Sequence, residues 1–217
     1  MKESLPIDGL YLTRYERALH ISSDERLAVV SSAVVGGDLE FTQHVVNMYV
    51  HKDYDCSNPA ADLYALASDL EIVEPFVGMM TGTRLDRVQV VVEQDEQLKV
   101  IAIVTAGLSN PTAAGVEMPI QIVTPGTINI ILIIDARLPR AARVNAIITA
   151  TEAKTLALVK ADIRAKHGGL ASGTSTDSIV IATTERGARF EYAGPITPVG
   201  ALIGRAVRCT ILNAVRA

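Results

Sequence analysis

The chain has no tryptophan, and aromatic residues make up only 4% of it. Its 217 residues must therefore build a core from Val, Ile, Leu and Ala, which fill space by shape. Cysteine is almost as scarce. Cys56 and Cys209 are the only two, and a pair so far apart reads as two buried thiols rather than a disulfide. Four histidines without any recognised ligand spacing give no metal site. No excess of one charge is present either. Twenty Lys and Arg are interspersed with 24 Asp and Glu, leaving a net charge of −4, so no nucleic-acid partner is expected. Long apolar runs are missing. Residues 128–134, the most apolar stretch, are interrupted by Asn129 and fall far short of the roughly 20 residues that span a bilayer. No secretory apolar region follows Met1-Lys2-Glu3-Ser4. The expectation is a cytoplasmic protein with no membrane partner.

What is present reads as alternating strands and helices. Residues 9–15, 18–22 and 27–35 are β-rich and separated by charged turns. Asn58-Pro59 breaks the chain ahead of a helix over 60–70, with Leu63, Leu66 and Leu70 on one face. Residues 87–92 and 98–105 form a hairpin around the polar turn at 94–96. Residues 100–104 and 128–135 are apolar at nearly every position, as in strands covered on both faces. A long helix starts at Pro139 and is expected to stop at Gly168-Gly169, with Arg164, Lys166 and His167 in its last turn. A strand at 178–183 and a helix over 199–215 close the chain. No repeat or linker interrupts it. The reading is α+β, a single domain over residues 1–217, with mixed sheets layered with long helices.

Polar residues inside apolar segments mark the candidate site. Thr105, Ser109 and Asn110 follow a buried strand in the run Thr105-Ala106-Gly107-Leu108-Ser109-Asn110-Pro111. Thr127 and Asn129 open the strand at 128. Asn145, Thr149, Glu152 and Thr155 share one face of the long helix, with Lys154 pointing elsewhere. The helix is otherwise so apolar that Glu152 is expected to be buried. Finally, Thr174, Ser175, Thr176, Asp177 and Ser178 are five consecutive oxygen-bearing side chains. Each stretch also has a plain structural explanation as a turn, a tie-down or a solvated face.

Neither G-x-S-x-G nor H-E-x-x-H occurs, and the histidines at 20, 44, 51 and 167 lie outside these stretches. The chemistry therefore falls to Ser, Thr, Asn, Asp, Glu and Lys, as in amide hydrolysis by an activated water or hydroxyl. The expected acid/base pair is Glu152 and Asp177, with Lys154, Thr174 and Ser175 beside them. Backbone N–H groups of the 173–176 loop are the expected oxyanion donors. The loops at 105–110 and 173–178 are expected to meet on one pocket rim, because ligand sites gather where strand ends converge.

Taken in order, several segments resemble the adenosylcobinamide amidohydrolase family. They are SSAVVGG at 31–37, Asn47 in NMYV, VGMMT at 77–81, TAGLSNP at 105–111 and GTINIILIID at 126–135. TATEAKTLAL at 149–158, ASGTSTDS at 171–178 and YAGPITPVGALIG at 192–204 follow. The resemblance runs from about residue 25 onward. The chain departs from it at Asp38, after the paired glycines, and at Ser172. It implies hydrolysis of the amide that joins aminopropanol to the corrin ring, giving adenosylcobyric acid in corrinoid salvage. It implies a corrinoid small-molecule partner whose cobalt belongs to the substrate, with no cofactor of the protein's own. Ser31, Ser32, Asn47 and Thr81 then join Thr105, Ser109, Asn110, Thr127, Asn129, Thr149 and Thr176 as substrate-binding candidates, and Met79 and Met80 as apolar contacts. Another carboxamide hydrolase with a Thr or Ser nucleophile, or a non-catalytic corrinoid-binding protein, are the competing readings. A homo-oligomer stays an open option.

Overall fold

The computed structural model describes residues 1–73, 75–116 and 126–216. Among them, nine strands form one mixed sheet: β1 (Lys2–Ser4), β2 (Leu10–Arg14), β3 (Ala18–Ser31), β4 (Phe41–Tyr49), β5 (Phe76–Thr81), β6 (Gln89–Gln94), β7 (Lys99–Ala106), β9 (Ile128–Ile134) and β11 (Ser178–Thr183). The short strands β8 (Pro111–Thr112) and β10 (Gly173–Thr174) pair separately. Three helices complete the set: α1 (Pro59–Asp69), α2 (Arg140–Lys160) and α3 (Pro198–Arg216). The α+β reading holds.

β3 is the spine. One of its edges carries β2 and then β11, and the other carries β4, which pairs in turn with β5. Its register against β4 shifts between Ser22 and Leu27, and an irregularity of this kind bends a strand. The sheet curls there, so that the β3–β4–β5 limb covers the β11–β9–β7 limb. The side-chain alternation of a strand then defines the layers. Ile131, Ile133, Ile101, Ile103 and Val180 face inward against Leu19, Ile21, Val45, Val77 and Met79. Ile130, Leu132, Ile134, Ala102 and Ile181 face the other way, onto α2 and α3. On the far side, α1 covers Val46, Met48 and Phe76. The order is helix, sheet limb, sheet limb, helix pair. Every residue of β9 is buried, which explains its unbroken apolar run. Each such Ile contributes roughly 1.5–3 kcal/mol of transfer free energy.

The structure departs from expectation at several elements. β3 is a single strand through Ser31, and residues 32–35 leave it. β4 and β5 are strands that the sequence pattern does not reveal. They lie between α1 and the inner sheet limb, and burial on both faces removes the alternation that marks a half-exposed strand. α2 ends at Lys160, well before Gly168. Asp162 adopts φ +54. The N–H of Asp162 reaches Val159 O, and that of Ile163 reaches Leu158 O, both at 3.1 Å. This is a Schellman closure with Asp in the place usually taken by Gly, and Asp tolerates that conformation. Arg164, Lys166 and His167 therefore lie beyond the helix. Both cysteines are exposed rather than buried, and neither is in a disulfide. Cys56 sits in a loop at φ +55, and Cys209 lies on α3 away from the face that buries Val207 and Ile211.

α2 seats closely because Ala142, Ala146, Ala150, Ala153 and Ala157 all lie on its buried side. That spacing gives one continuous helical face of small residues, and Ala is also the best helix former. Lys154 and Arg143 are buried on the same helix.

Candidate active site

The start of β9, the start of β11 and the ends of β5 and β7 converge at one end of the sheet. A cavity of about 300 Å³ opens there. Ser32, Thr127, Thr176, Asp177 and Ser178 give it a polar side. Met79, Met80, Val34, Val50, Tyr54 and Pro59 give it an apolar one, and Cys56, Gly82 and Gly126 complete the lining.

Asp177 organises the polar side. Its Oδ1 accepts from the N–H of Ile128 at 3.1 Å, the N–H of Thr174 at 3.1 Å and the hydroxyl of Thr174 at 2.5 Å. Its Oδ2 accepts a short hydrogen bond from Lys154 Nζ. The side chains of this ion pair are 10% and 19% exposed for Lys154 and Asp177. With about two lone-pair sites on each oxygen, Oδ1 is saturated by its three donors and Oδ2 keeps one outer site for a ligand or water in the cavity. Gly173 is part of the device. A Cβ there would collide with Asp177 Oδ2 and lie 2.7 Å from Lys154 Nζ.

The loops at 105–110 and 173–178 come together, but only the second contributes to the cavity lining. β8, directly after the first loop, pairs with β10, which opens the second, and Asn110 Nδ2 donates to Ser175 Oγ at 2.8 Å. Thr176 Oγ1 donates to Gly126 O at 3.1 Å, and Thr127 Oγ1 lies 2.7 Å from Thr176 O. Ser32 accepts from the N–H of Ile179 at 3.0 Å, and its hydroxyl is 3.3 Å from that of Ser178.

Behind this floor lies a buried amide network. Asn129 Nδ2 donates to Asn47 Oδ1 at 2.8 Å and to Met80 O at 2.7 Å. Asn47 Nδ2 donates to Thr105 Oγ1 at 3.1 Å. Asn47, Thr105 and Asn129 are each 1% exposed, so these three candidates tie β4, β5, β7 and β9 together beneath the cavity and do not line it. Thr81 is also buried, and its hydroxyl accepts from the N–H of Thr83 at 3.1 Å. Ser31 lies beside the cavity-lining Ser32 without joining it, and its hydroxyl is buried without a hydrogen-bond partner.

Three expectations need correction. Glu152 is exposed, so the burial that recommended it as an acid is missing. The polar stripe on α2 divides instead. Asn145 and Thr149 hold Ala193 at 3.0 and 2.7 Å, Thr155 holds Ser172 O at 3.0 Å, and Glu152 meets solvent. Thr149 thus anchors the approach to α3, away from the cavity lining. Lys154 points off that stripe, as expected, and it is the α2 residue bonded to Asp177, beside which it was expected. Finally, the N–H of Thr174 is engaged by Asp177, which removes it from the expected oxyanion donors.

Sequence reasoning missed Val34, Val50, Tyr54, Cys56 and Gly82. Val50, Tyr54 and Cys56 come from the loop between β4 and α1, which carries no periodic signal, and Pro59 opens α1. Tyr54 Oη donates to Asp62 Oδ2 at 2.5 Å. Burial, then this carboxylate, raise the phenol above its ordinary range, so Tyr54 presents a neutral ring to the cavity. The Asn58 side chain caps α1 by accepting from the N–H of Ala61 at 3.3 Å.

A second polar pair lies on the outer face of β3 and β4. His20 Nε2 is 3.0 Å from His44 Nδ1. Burial, then His44 and Lys2, lower His20 to about 4, and burial lowers His44. Among the described residues, no three His, Cys, Asp or Glu side chains converge, and no helix is long and apolar enough to cross a membrane.

The sequence profile described as adenosylcobinamide amidohydrolase matches residues 5–217. A protein of that name from Methanosarcina mazei is 30% identical over 187 residues, covering 82% of this chain and 84% of its own length. An uncharacterized protein of Methanocaldococcus jannaschii is 35% identical over 156 residues, and the match spans 63% of this chain and 61% of that one. A β-aminopeptidase from a Burkholderia species aligns over 98% of this chain and 82% of its own, at 11% identity and a TM-score of 0.48. With the match running from Leu5 to the C-terminal residue, through every strand and helix that builds the cavity, the chain belongs to the adenosylcobinamide amidohydrolase family.

Proposed function

We propose that this protein hydrolyses the amide linking aminopropanol to the corrin ring of adenosylcobinamide, releasing aminopropanol and adenosylcobyric acid. The reading is supported by the family match together with one structural observation: Asp177 lines a cavity of mixed polar and apolar residues and is hydrogen-bonded to Lys154, which lies outside the lining. Amide hydrolysis needs a group to take a proton from water, a group to return one to the amine, and donors for the oxygen that becomes negative. The outer lone pair of Asp177 Oδ2 receives the proton of a cavity water. Asp177 then returns that proton to the departing amine, while Lys154, bonded to the same oxygen, holds the carboxyl in place. The Ser32 hydroxyl donates to the carbonyl of the substrate, while the hydroxyl oxygens of Thr127 and Thr176, whose own protons go to Thr176 O and Gly126 O, accept from the N–H or terminal hydroxyl of the arm. Thr174 orients Asp177 through two hydrogen bonds, and Ser175 and Asn110 fix the turn outside it. Asn47, Thr105 and Asn129 keep the floor in place.

Mass spectrometry of adenosylcobinamide before and after incubation with the pure protein tests this reading. Conversion to adenosylcobyric acid with free aminopropanol is expected. Tight binding without conversion would show a corrinoid-binding protein instead.

A further inference from the structure

We infer that the cavity admits one carboxamide arm with a short hydroxyalkyl amine, while the macrocycle stays outside the mouth. The inference rests on the amidohydrolase reading of the same site and adds the part of the substrate that the protein encloses. Size is the first ground. A cavity of about 300 Å³ holds on the order of ten to twenty non-hydrogen atoms, since a free water takes roughly 30 Å³ and a covalently bonded atom less. A propionamide arm carrying a hydroxypropyl group is of that size. A corrin with its side chains is several times larger.

The lining is the second ground. Val34, Val50, Met79 and Met80 share the cavity lining with Ser32, Thr127, Thr176 and Ser178. A purely hydrocarbon ligand would desolvate the hydroxyls without pairing them, and a purely polar one would leave the apolar wall unmatched. An arm of methylenes, one amide and one terminal hydroxyl satisfies both walls.

The third ground is that the outer wall is fixed. Tyr54 is pinned to Asp62 on α1, and the loop runs directly into the Asn58 cap. The wall therefore limits the length of the amine substituent. Simple N-(2-hydroxypropyl) alkanamides are then substrates in their own right. The amide C–N bond breaks, the oxygen of water joins the carbonyl carbon, and its protons pass to the amine, giving an alkanoate and aminopropanol. These molecules lose all contacts to the macrocycle, and binding energy from remote groups supports catalysis.

Adenosylcobinamide, N-(2-hydroxypropyl)propanamide and N-octylpropanamide are each incubated with the full chain, and amine release is followed by mass spectrometry. The expected result is turnover of the first two, with kcat/KM for the small amide lower by about a hundredfold or more. The small amide also competes with adenosylcobinamide, and the octyl amide does neither. Val34→Trp, at a half-exposed mouth position (51% exposed), is expected to raise KM about tenfold or more for both substrates while the protein still melts cooperatively. The inference is overturned if adenosylcobinamide is converted but the small amide neither reacts nor competes. It is also overturned if the octyl amide reacts as well as the short one, or if Val34→Trp changes nothing. Conversion of the small amide with adenosylcobinamide untouched would instead reject the corrinoid reading and leave the arm-sized slot standing.

Discussion

At the scale of residues, Asp177 and Glu152 are opposite cases. Both carboxylates lie in polar segments that the sequence marks, yet one is held by four hydrogen bonds around a buried ammonium and the other faces solvent. Asp177→Asn preserves shape but leaves Lys154 without its counter-charge. Stability is expected to fall by about 3 kcal/mol, the cost typical of breaking such a pair from one side, and amine release by about a hundredfold or more. Adding Lys154→Met to that variant should restore most of the melting temperature without restoring turnover, which separates the structural from the chemical contribution. Glu152→Gln should remain within about 0.5 kcal/mol of wild type, as exposed substitutions do, with turnover essentially unchanged. Thermal melts and an amine-release assay on the same preparations check all three. The difference between the two carboxylates was not legible in the sequence. Helical spacing shows which residues share a face of α2. It does not show that the loop carrying Ala193 covers Asn145 and Thr149 and stops short of Glu152.

At the scale of elements, the strands are joined by two polar devices. The amide network ties β4, β5, β7 and β9 beneath the cavity. Asn129→Ala would leave Asn47 Oδ1 and Met80 O without their donor inside a buried region. The expected loss is about 1–3 kcal/mol, seen as a drop of roughly 2–10 °C in melting temperature for a chain of this size. The histidine pair joins β3 and β4 on the other face. Both imidazoles hold protons less readily in the fold than in the unfolded chain, so acidification favours the unfolded chain. This contribution is fully present above pH 6.5 and is lost as the pH falls toward about 4, by an amount on the order of 3 kcal/mol. Melting curves from pH 7.5 to 4.5 should show that decline, and His20→Leu should flatten it. The strands that could be read from sequence were β2, β3, β6, β7, β9 and β11, the last three through their Ile and Val runs. β4 and β5 were hidden because each is covered on both faces and carries polar residues whose partners are far along the chain. Asn47 finds Thr105 and Asn129 only through tertiary pairing.

At the scale of the whole molecule, the curl of one sheet makes the site. Bending β3 brings the β5 end over the β9 and β11 starts, and the β4–α1 loop then closes the remaining side. The polar half of the cavity was visible beforehand, since Thr127, Thr176 and Asp177 sit in unusual local sequence. Of the apolar half only Met79 and Met80 were anticipated, because Val34, Val50 and Tyr54 become neighbours only once the limbs fold together. The central claim is that water enters the scissile amide in this cavity. Its most direct test is to incubate adenosylcobinamide with the protein in water enriched in heavy oxygen and weigh the corrinoid product. The account predicts adenosylcobyric acid carrying one heavy oxygen in its new carboxylate, formed by the wild-type chain and scarcely by Asp177→Asn. Recovery of intact adenosylcobinamide, or of a product without heavy oxygen, would contradict it.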